Sequence, residues 1–295
     1  MRTTTHWFTA AAVLTFASIV MGAVVCATQS GASCPNWPGC YAGQFLPIPA
    51  AGLQTNPLVE FAHRVVAGAT GPAVLVAAIL GRRLADPRPR ILAWVALAGA
   101  LAAGVFGMLT VRIGIPWWMG VIDLACALAA TVAMLRARLL LGRPLAVPNP
   151  TARIAWAAVG TLGVLHLLGI AVAGENSFTR CLSWPLGILA ADRWPLLQGV
   201  RVGLAGLAAV LLVVVVVRSL QHPGRRAWAW LLAGLLALEL LLMGALLAGA
   251  GGVGLRTAYA VVAAGVFGAA AVLASSAGLA VAAGHPERVA QSQPA

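Results

Sequence analysis

Apolar residues fall into eight long runs, separated by short segments that carry nearly all of the charge. The runs cover roughly Phe8 to Ala27, Leu58 to Leu80, Ile91 to Val111, Trp117 to Leu135, Ile154 to Gly174, Leu196 to Val217, Ala227 to Gly249 and Thr257 to Ala282. Each is close to or beyond the ~20 residues that a helix needs to cross a bilayer. The pattern predicts an all-α, polytopic membrane protein with eight transmembrane helices. The first run follows only Arg2 and His6 and so has the outline of a signal peptide, but its length and the later spans favour a retained helix.

Composition agrees: 61% of the 295 residues are hydrophobic and 9% are charged. All nineteen basic residues are arginine, scattered singly or in pairs between the spans, which argues against a nucleic-acid surface and for charge that sets topology. Arg82, Arg83, Arg88 and Arg90 follow the second span, Arg136, Arg138, Arg143 and Arg153 the fourth, and Arg218, Arg225 and Arg226 the sixth. The opposite loops carry only Arg112, Arg180, Arg193 and Arg256. The excess of arginine predicts both termini in the cytoplasm, a plasma-membrane location, and the segment from Thr28 to Pro57 outside.

A repeat organises the spans. Ser33-Cys34-Pro35-Asn36-Trp37-Pro38 aligns with Arg180-Cys181-Leu182-Ser183-Trp184-Pro185, and Met21-Gly22 aligns with Leu168-Gly169 at the same offset. Each loop leads into a span that begins with an arginine, Arg64-Val65 in one half and Arg201-Val202 in the other. The expected architecture is two four-helix repeats, residues 1–150 and 151–295, joined by the basic, proline-containing segment Arg136 to Arg153.

Charge inside an apolar span is costly, so the few such residues are the candidates for chemistry. Glu60 and His63 share a helix face, and Ala67 and Gly71 follow His63 at four-residue steps. A histidine above small residues suits an axial imidazole beside a flat porphyrin; it equally suits a small-residue packing ridge in which His63 bonds across helices. Glu60, near the end of its span, is either half solvated or a buried acid able to move a proton. Arg64 can pair with Glu60 or with a propionate. Asp123 is a candidate partner for Arg64 or Arg201, Glu239 stands among leucines without an assigned role, and His166 reads as a hydrogen-bonded core histidine. His6, His222 and His285 fall in polar ends.

Cys34 and Cys40 flank a Pro-Asn-Trp-Pro-Gly turn on the side expected to be oxidising, so a disulfide between them is sterically reasonable, either as a loop staple or as a redox pair. Cys26, Cys126 and Cys181 have no evident partner and read as small apolar residues.

The motifs Ser30-Gly31-Ala32-Ser33-Cys34-Pro35-Asn36-Trp37-Pro38-Gly39-Cys40 and Glu60-Phe61-Ala62-His63-Arg64, in an eight-span chain, resemble those of the heme A synthase (CtaA-type) family of cytochrome oxidase assembly proteins. Members of that family oxidise the C8 methyl of heme O to the formyl group of heme A. The resemblance implies heme O as substrate near Glu60 and His63, with His63 as axial ligand to heme iron and Glu60 aiding proton movement. It also implies Arg64 and Arg201 at the cofactors, the Cys34–Cys40 pair beside the site, and an auxiliary heme b in the second half. The family pattern places one histidine in each even-numbered span; here the last three of those positions hold Asp123, Val200 and Tyr259. Valine cannot ligate iron and an aspartate would be a hard anionic ligand, so the second-half heme b is the doubtful part of the expectation.

The partners expected are the bilayer, heme O or the enzyme that delivers it, an unassigned electron donor, and room for a homo-oligomer. Two other classes fit the same residues: a non-catalytic heme-binding or oxidase-assembly protein on this scaffold, and a transporter using Arg64, Arg201 and Asp123 at mid-membrane.

Overall fold

The computed structural model describes residues 2–31, 33–48, 54–114, 116–143, 149–174, 178–186 and 193–279. It contains eight membrane-length helices and, among the described residues, no strand: α1 (Arg2–Ala27), α2 (Thr55–Gly81), α3 (Pro87–Ile113), α4 (Trp117–Leu140), α5 (Pro150–Val172), α6 (Pro195–Leu220), α7 (Arg226–Leu247) and α8 (Val253–Ala277). The expected spans are all present, with ends shifted by a few residues. The part of the last expected span beyond Leu279 lies outside the described residues, as does His285.

Helix boundaries follow local chemistry. Pro87, Pro150 and Pro195 stand in the first turns of α3, α5 and α6, where no backbone donor is lost. Asp86 and Asn149 cap α3 and α5 by accepting from Arg88 N and Ala152 N at 3.0 and 2.8 Å. The Asn149 amide also donates to Ala277 O at 2.8 Å, pinning the start of α5 to the end of α8.

The same packing pattern recurs in both halves. α1 packs on α2 and α4, and α3 closes the ring against both α2 and α4; α5 packs on α6 and α8, and α7 closes that ring. The two rings meet through α1, α4, α5 and α8. Within the first ring, Ser18 and Thr70 share a hydrogen bond of 2.8 Å between α1 and α2, and Thr131 Oγ1 donates to Thr15 O at 3.2 Å between α4 and α1. Such hydroxyls join helices where lipid offers no hydrophobic drive between them.

α8 is the buried axis of the whole bundle. In its central stretch 83% of residues are buried, against 39% or less in every other helix. Its run of alanine, valine and glycine makes this physically natural, since small side chains allow helices to approach on every side. Leucine-rich α7 is the opposite case and turns most of its surface to lipid.

At the end of the bundle that carries the α1–α2 segment, termed here the cysteine end, two disulfides form. One joins Cys34 to Cys40; the other joins Cys26 at the end of α1 to Cys181 beyond α5, across 155 residues. The second corrects the expectation that Cys26 and Cys181 are unpartnered. Cys26, Cys34, Cys40 and Cys181 all lie at one end, and only Cys126 stays free. Four of the five cysteines falling at that shared end is the signal in the sequence that points to the pairing.

Two outcomes follow from the packing. Gly99 on α3 lies against α4 so closely that an added Cβ would stand 2.8 Å from Cys126 O, whereas at Gly104 it would meet nothing within 4 Å. Gly99→Ala therefore lowers the thermal midpoint of the detergent-solubilised protein, a loss of about 1–3 kcal/mol, while Gly104→Ala leaves it unchanged or raises it. Cys181→Ser, which opens a long covalent loop between the halves, costs about 2–5 kcal/mol; the linkage itself is checked by a Cys26–Cys181 cross-linked peptide in a non-reduced digest.

Candidate functional site

The cysteine-end loop is held by one guanidinium. Arg64, in the third turn of α2, donates through Nη1 to Asn36 O and to Gly39 O (2.9 Å), and through Nη2 to Cys34 O (2.7 Å) and to the Glu60 carboxylate one turn earlier. Glu60 is buried, and its other oxygen accepts from Cys34 N at 2.8 Å and Ser33 Oγ at 3.1 Å. The loop backbone has no helical partners of its own, so the pair satisfies it from both sides, carbonyls by Arg64 and an amide by Glu60. The disulfide Cys34–Cys40 closes the same turn, and Phe45 stacks edge-on against Phe61 of α2 at 5.5 Å.

This arrangement takes one of the two alternatives open for each residue. Arg64 pairs with Glu60, its Nη atoms given to that carboxylate and to the loop. Glu60 is a buried, ion-paired carboxylate and not a half-solvated one.

One turn along from Glu60 on α2 is His63. Its Nδ1 is buried without a hydrogen-bond partner among the described residues, and its Cε1 faces the glycine of α1, an added Cβ at Gly22 standing 3.6 Å away. Gly68 and Gly71 further along α2 have no neighbour within 4 Å of an added Cβ, and Gly68 is exposed, so that side of the helix faces outward. Two cavities lie away from the imidazole: one of about 350 Å³ in the loop between Asn36 and Phe45, and one of about 70 Å³ between α6 and α7. An orphaned ring nitrogen and a glycine where a side chain would crowd the ring fit an imidazole that takes a metal-bearing ligand.

The second half repeats the clamp and omits the imidazole. Arg201 is buried; its Nε donates to Leu165 O at 3.1 Å, and its Nη2 to Ser183 O, the counterpart of Asn36 in the repeat. Its Nη1 lies 3.4 Å from Gln198 Oε1. An added Cβ at Gly169, the counterpart of Gly22, would stand 3.0 Å from Arg201 Nη2. The guanidinium thus takes, in the second half, the glycine-backed place that the imidazole takes in the first. Val200 points outward and is 53% exposed, and Tyr259 is fully buried with its hydroxyl donating to Trp184 O at 3.3 Å. As placed, neither Val200 nor Tyr259 offers a ligand to a heme iron.

Asp123, half-buried on α4, pairs with neither arginine, because each is satisfied by backbone carbonyls and a residue of its own helix. His166 is buried edge-on to Phe267 at 6.2 Å, and neither ring nitrogen has a partner among the described residues, which corrects the expected hydrogen bond. Glu239 is buried and lines the 70 Å³ cavity with Trp184. His6 and His222 are exposed, as expected. Because Glu60 is buried with Arg64 as its counter-ion, Arg64→Met destabilises the protein by about 3–5 kcal/mol. Adding Glu60→Gln recovers part of the loss, as read from a double-mutant cycle in thermal unfolding.

Comparison with known proteins places the chain in a family. A stretch of 140 residues, 45% of the chain, is 32% identical to the heme A synthase of Roseobacter denitrificans, and 141 residues are 30% identical to that of Ruegeria pomeroyi. Those matches span 36% and 37% of the relatives' own lengths, little more than a third. The model of the COX15-CtaA family, described as cytochrome oxidase assembly protein, matches residues 5–285. With that match running through all eight helices, the chain belongs to the COX15-CtaA family of cytochrome oxidase assembly proteins.

Proposed function

We propose that this protein acts in heme A biosynthesis for cytochrome oxidase assembly, as a membrane oxidoreductase that converts the C8 methyl of heme O to a formyl group. The observation that carries this reading is His63: an imidazole with an orphaned nitrogen, backed by Gly22 and followed directly by the arginine that ties down the disulfide-closed loop. When bound, the heme iron supplies the redox chemistry. The chain's own residues bind and orient the macrocycle. His63 is the iron ligand, and Glu60 with Arg64 acts by positioning, holding the loop of Cys34, Asn36 and Gly39 against the start of α2, the helix that carries the imidazole.

In this reading the substrate site belongs to residues 1–150, and residues 151–295 form a degenerate repeat that braces it through α8. The cysteine end faces outward from the plasma membrane, where disulfides persist, and the arginine-rich end faces the cytoplasm. Heme O, or the enzyme that delivers it, is the partner on the substrate side. The relatives named heme A synthase support the substrate assignment.

A second reading, a heme-binding assembly factor without turnover, is favoured by one observation: the second half offers Arg201 and Tyr259 where a second iron would need imidazoles, leaving no built-in relay for electrons. Expression in a host that makes heme O, followed by heme extraction, separates the two. Catalysis predicts heme A with the wild type and none with His63→Ala; wild-type protein that carries heme O and yields no heme A above background selects the assembly factor. Either outcome comes with one heme per chain in a pyridine hemochromogen assay, and two would contradict the reading of the second half.

A further inference from the structure

Charge is shared unequally between the two ends of the bundle. At the end away from the cysteines, the arginine end, stand twelve described arginines and one described acid, Asp86. Most of those arginines are exposed, where salt and water screen them. Others have local partners. Arg88, at the start of α3, is held by Asp86 through Nε at 2.9 Å and Nη2 at 2.7 Å, and Arg138 of α4 donates to Thr9 Oγ1 of α1 at 2.6 Å.

Arg136 is the exception. It lies one turn inside the end of α4, about 6 Å along the axis from Leu140, and is half-buried. Among the described residues it has no ion pair and no hydrogen bond; its guanidinium lies over the Trp156 ring of α5, 4.7 Å from the centroid. The charge that bears on it is another cation, Arg88. Arg153, three residues before Trp156, shares that face of α5 and is exposed. Because α4 belongs to one ring and α5 to the other, these cations stand at the seam between the halves. At the cysteine end the halves are tied by the Cys26–Cys181 disulfide; here the seam gathers like charge.

A half-buried cation with a second cation beside it and no acid within reach is a cost that an anion from outside the chain removes. Depth selects the anion. One turn inside the end of a membrane helix is the level of the lipid headgroups, and a long arginine stem carries its fork out to them. A guanidinium takes a phosphodiester through two parallel hydrogen bonds, and an indole is at home at the same level.

We infer that the seam of α3, α4 and α5 at the arginine end binds the headgroup of an anionic phospholipid, its phosphodiester held by Arg136 with Arg88 and Arg153 beside it and Trp156 as the apolar wall. Basic pockets between membrane helices recognise such headgroups. A lipid bound there bridges α4 and α5, joining the halves at the end that the disulfide does not reach.

The test uses the purified full-length chain in nanodiscs of phosphatidylcholine, with and without phosphatidylglycerol, read by thermal unfolding and by native mass spectrometry. The wild type is expected to have the higher midpoint in the anionic discs and to retain phosphatidylglycerol on release from them. Arg136→Gln is expected to lose both effects. Arg153→Gln is expected to weaken phosphatidylglycerol binding about fivefold, the factor that one arginine near an anionic lipid surface contributes. Arg226→Gln, exposed at the start of α7 and away from the seam, is expected to match the wild type. Because Arg153 is exposed, its variant carries the test even where Arg136→Gln does not fold. A wild type with the same midpoint in both discs and no retained phosphatidylglycerol overturns the inference. So does an equal loss in Arg153→Gln and Arg226→Gln, which marks diffuse attraction to the surface. Full stabilisation by inorganic phosphate in phosphatidylcholine discs also overturns it, since the site then takes a soluble anion and not a lipid.

Discussion

The irregular segment between α1 and α2 has no helix or sheet ladder to satisfy its amides and carbonyls. Arginine meets much of that requirement. The planar guanidinium of Arg64 offers several donors in a fixed geometry and gathers the carbonyls of Cys34, Asn36 and Gly39, with Glu60 as counter-ion. Hydrogen bonds to charged groups contribute about 1.5–3 kcal/mol each, enough to hold a loop of few apolar contacts in one shape against the start of α2.

Arg201 solves the same problem in the second half, and the comparison between the halves is instructive. Both arginines bind the carbonyl at the repeated position, Asn36 and Ser183. Both halves place a glycine of the preceding helix at the same level, Gly22 and Gly169. The difference is what that glycine admits. Next to Gly22 it is an imidazole with a free nitrogen; next to Gly169 it is the guanidinium itself, drawn deeper and fully buried. Arg201 occupies the space behind Gly169 and Tyr259 is tied to Trp184, so the two halves of one scaffold differ at this level by very few side chains.

The brace reaches the site by two routes. α8, made of small residues, packs against α1, α4, α5, α6 and α7 and so couples the rings along their length. The disulfide from Cys26 to Cys181 couples them at the cysteine end, one turn of α1 beyond the glycine that backs His63. A rigid α1 keeps that glycine against the imidazole.

The sequence alone determined the eight helices, their approximate ends and the repeat, because apolar length and proline or glycine punctuation are local properties that the bilayer reads directly. It also singled out Glu60, His63, Arg64 and Arg201, since charge in an apolar run is conspicuous whatever the fold. What each of those groups binds was decided only by tertiary structure. Arg64 and Arg201 close on carbonyls of distant loops, Cys26 finds Cys181 across 155 residues, and His166 is left without the partner expected for it. Such pairings depend on which helix faces meet and at what depth, and periodicity within one helix carries no information about the neighbour across the ring.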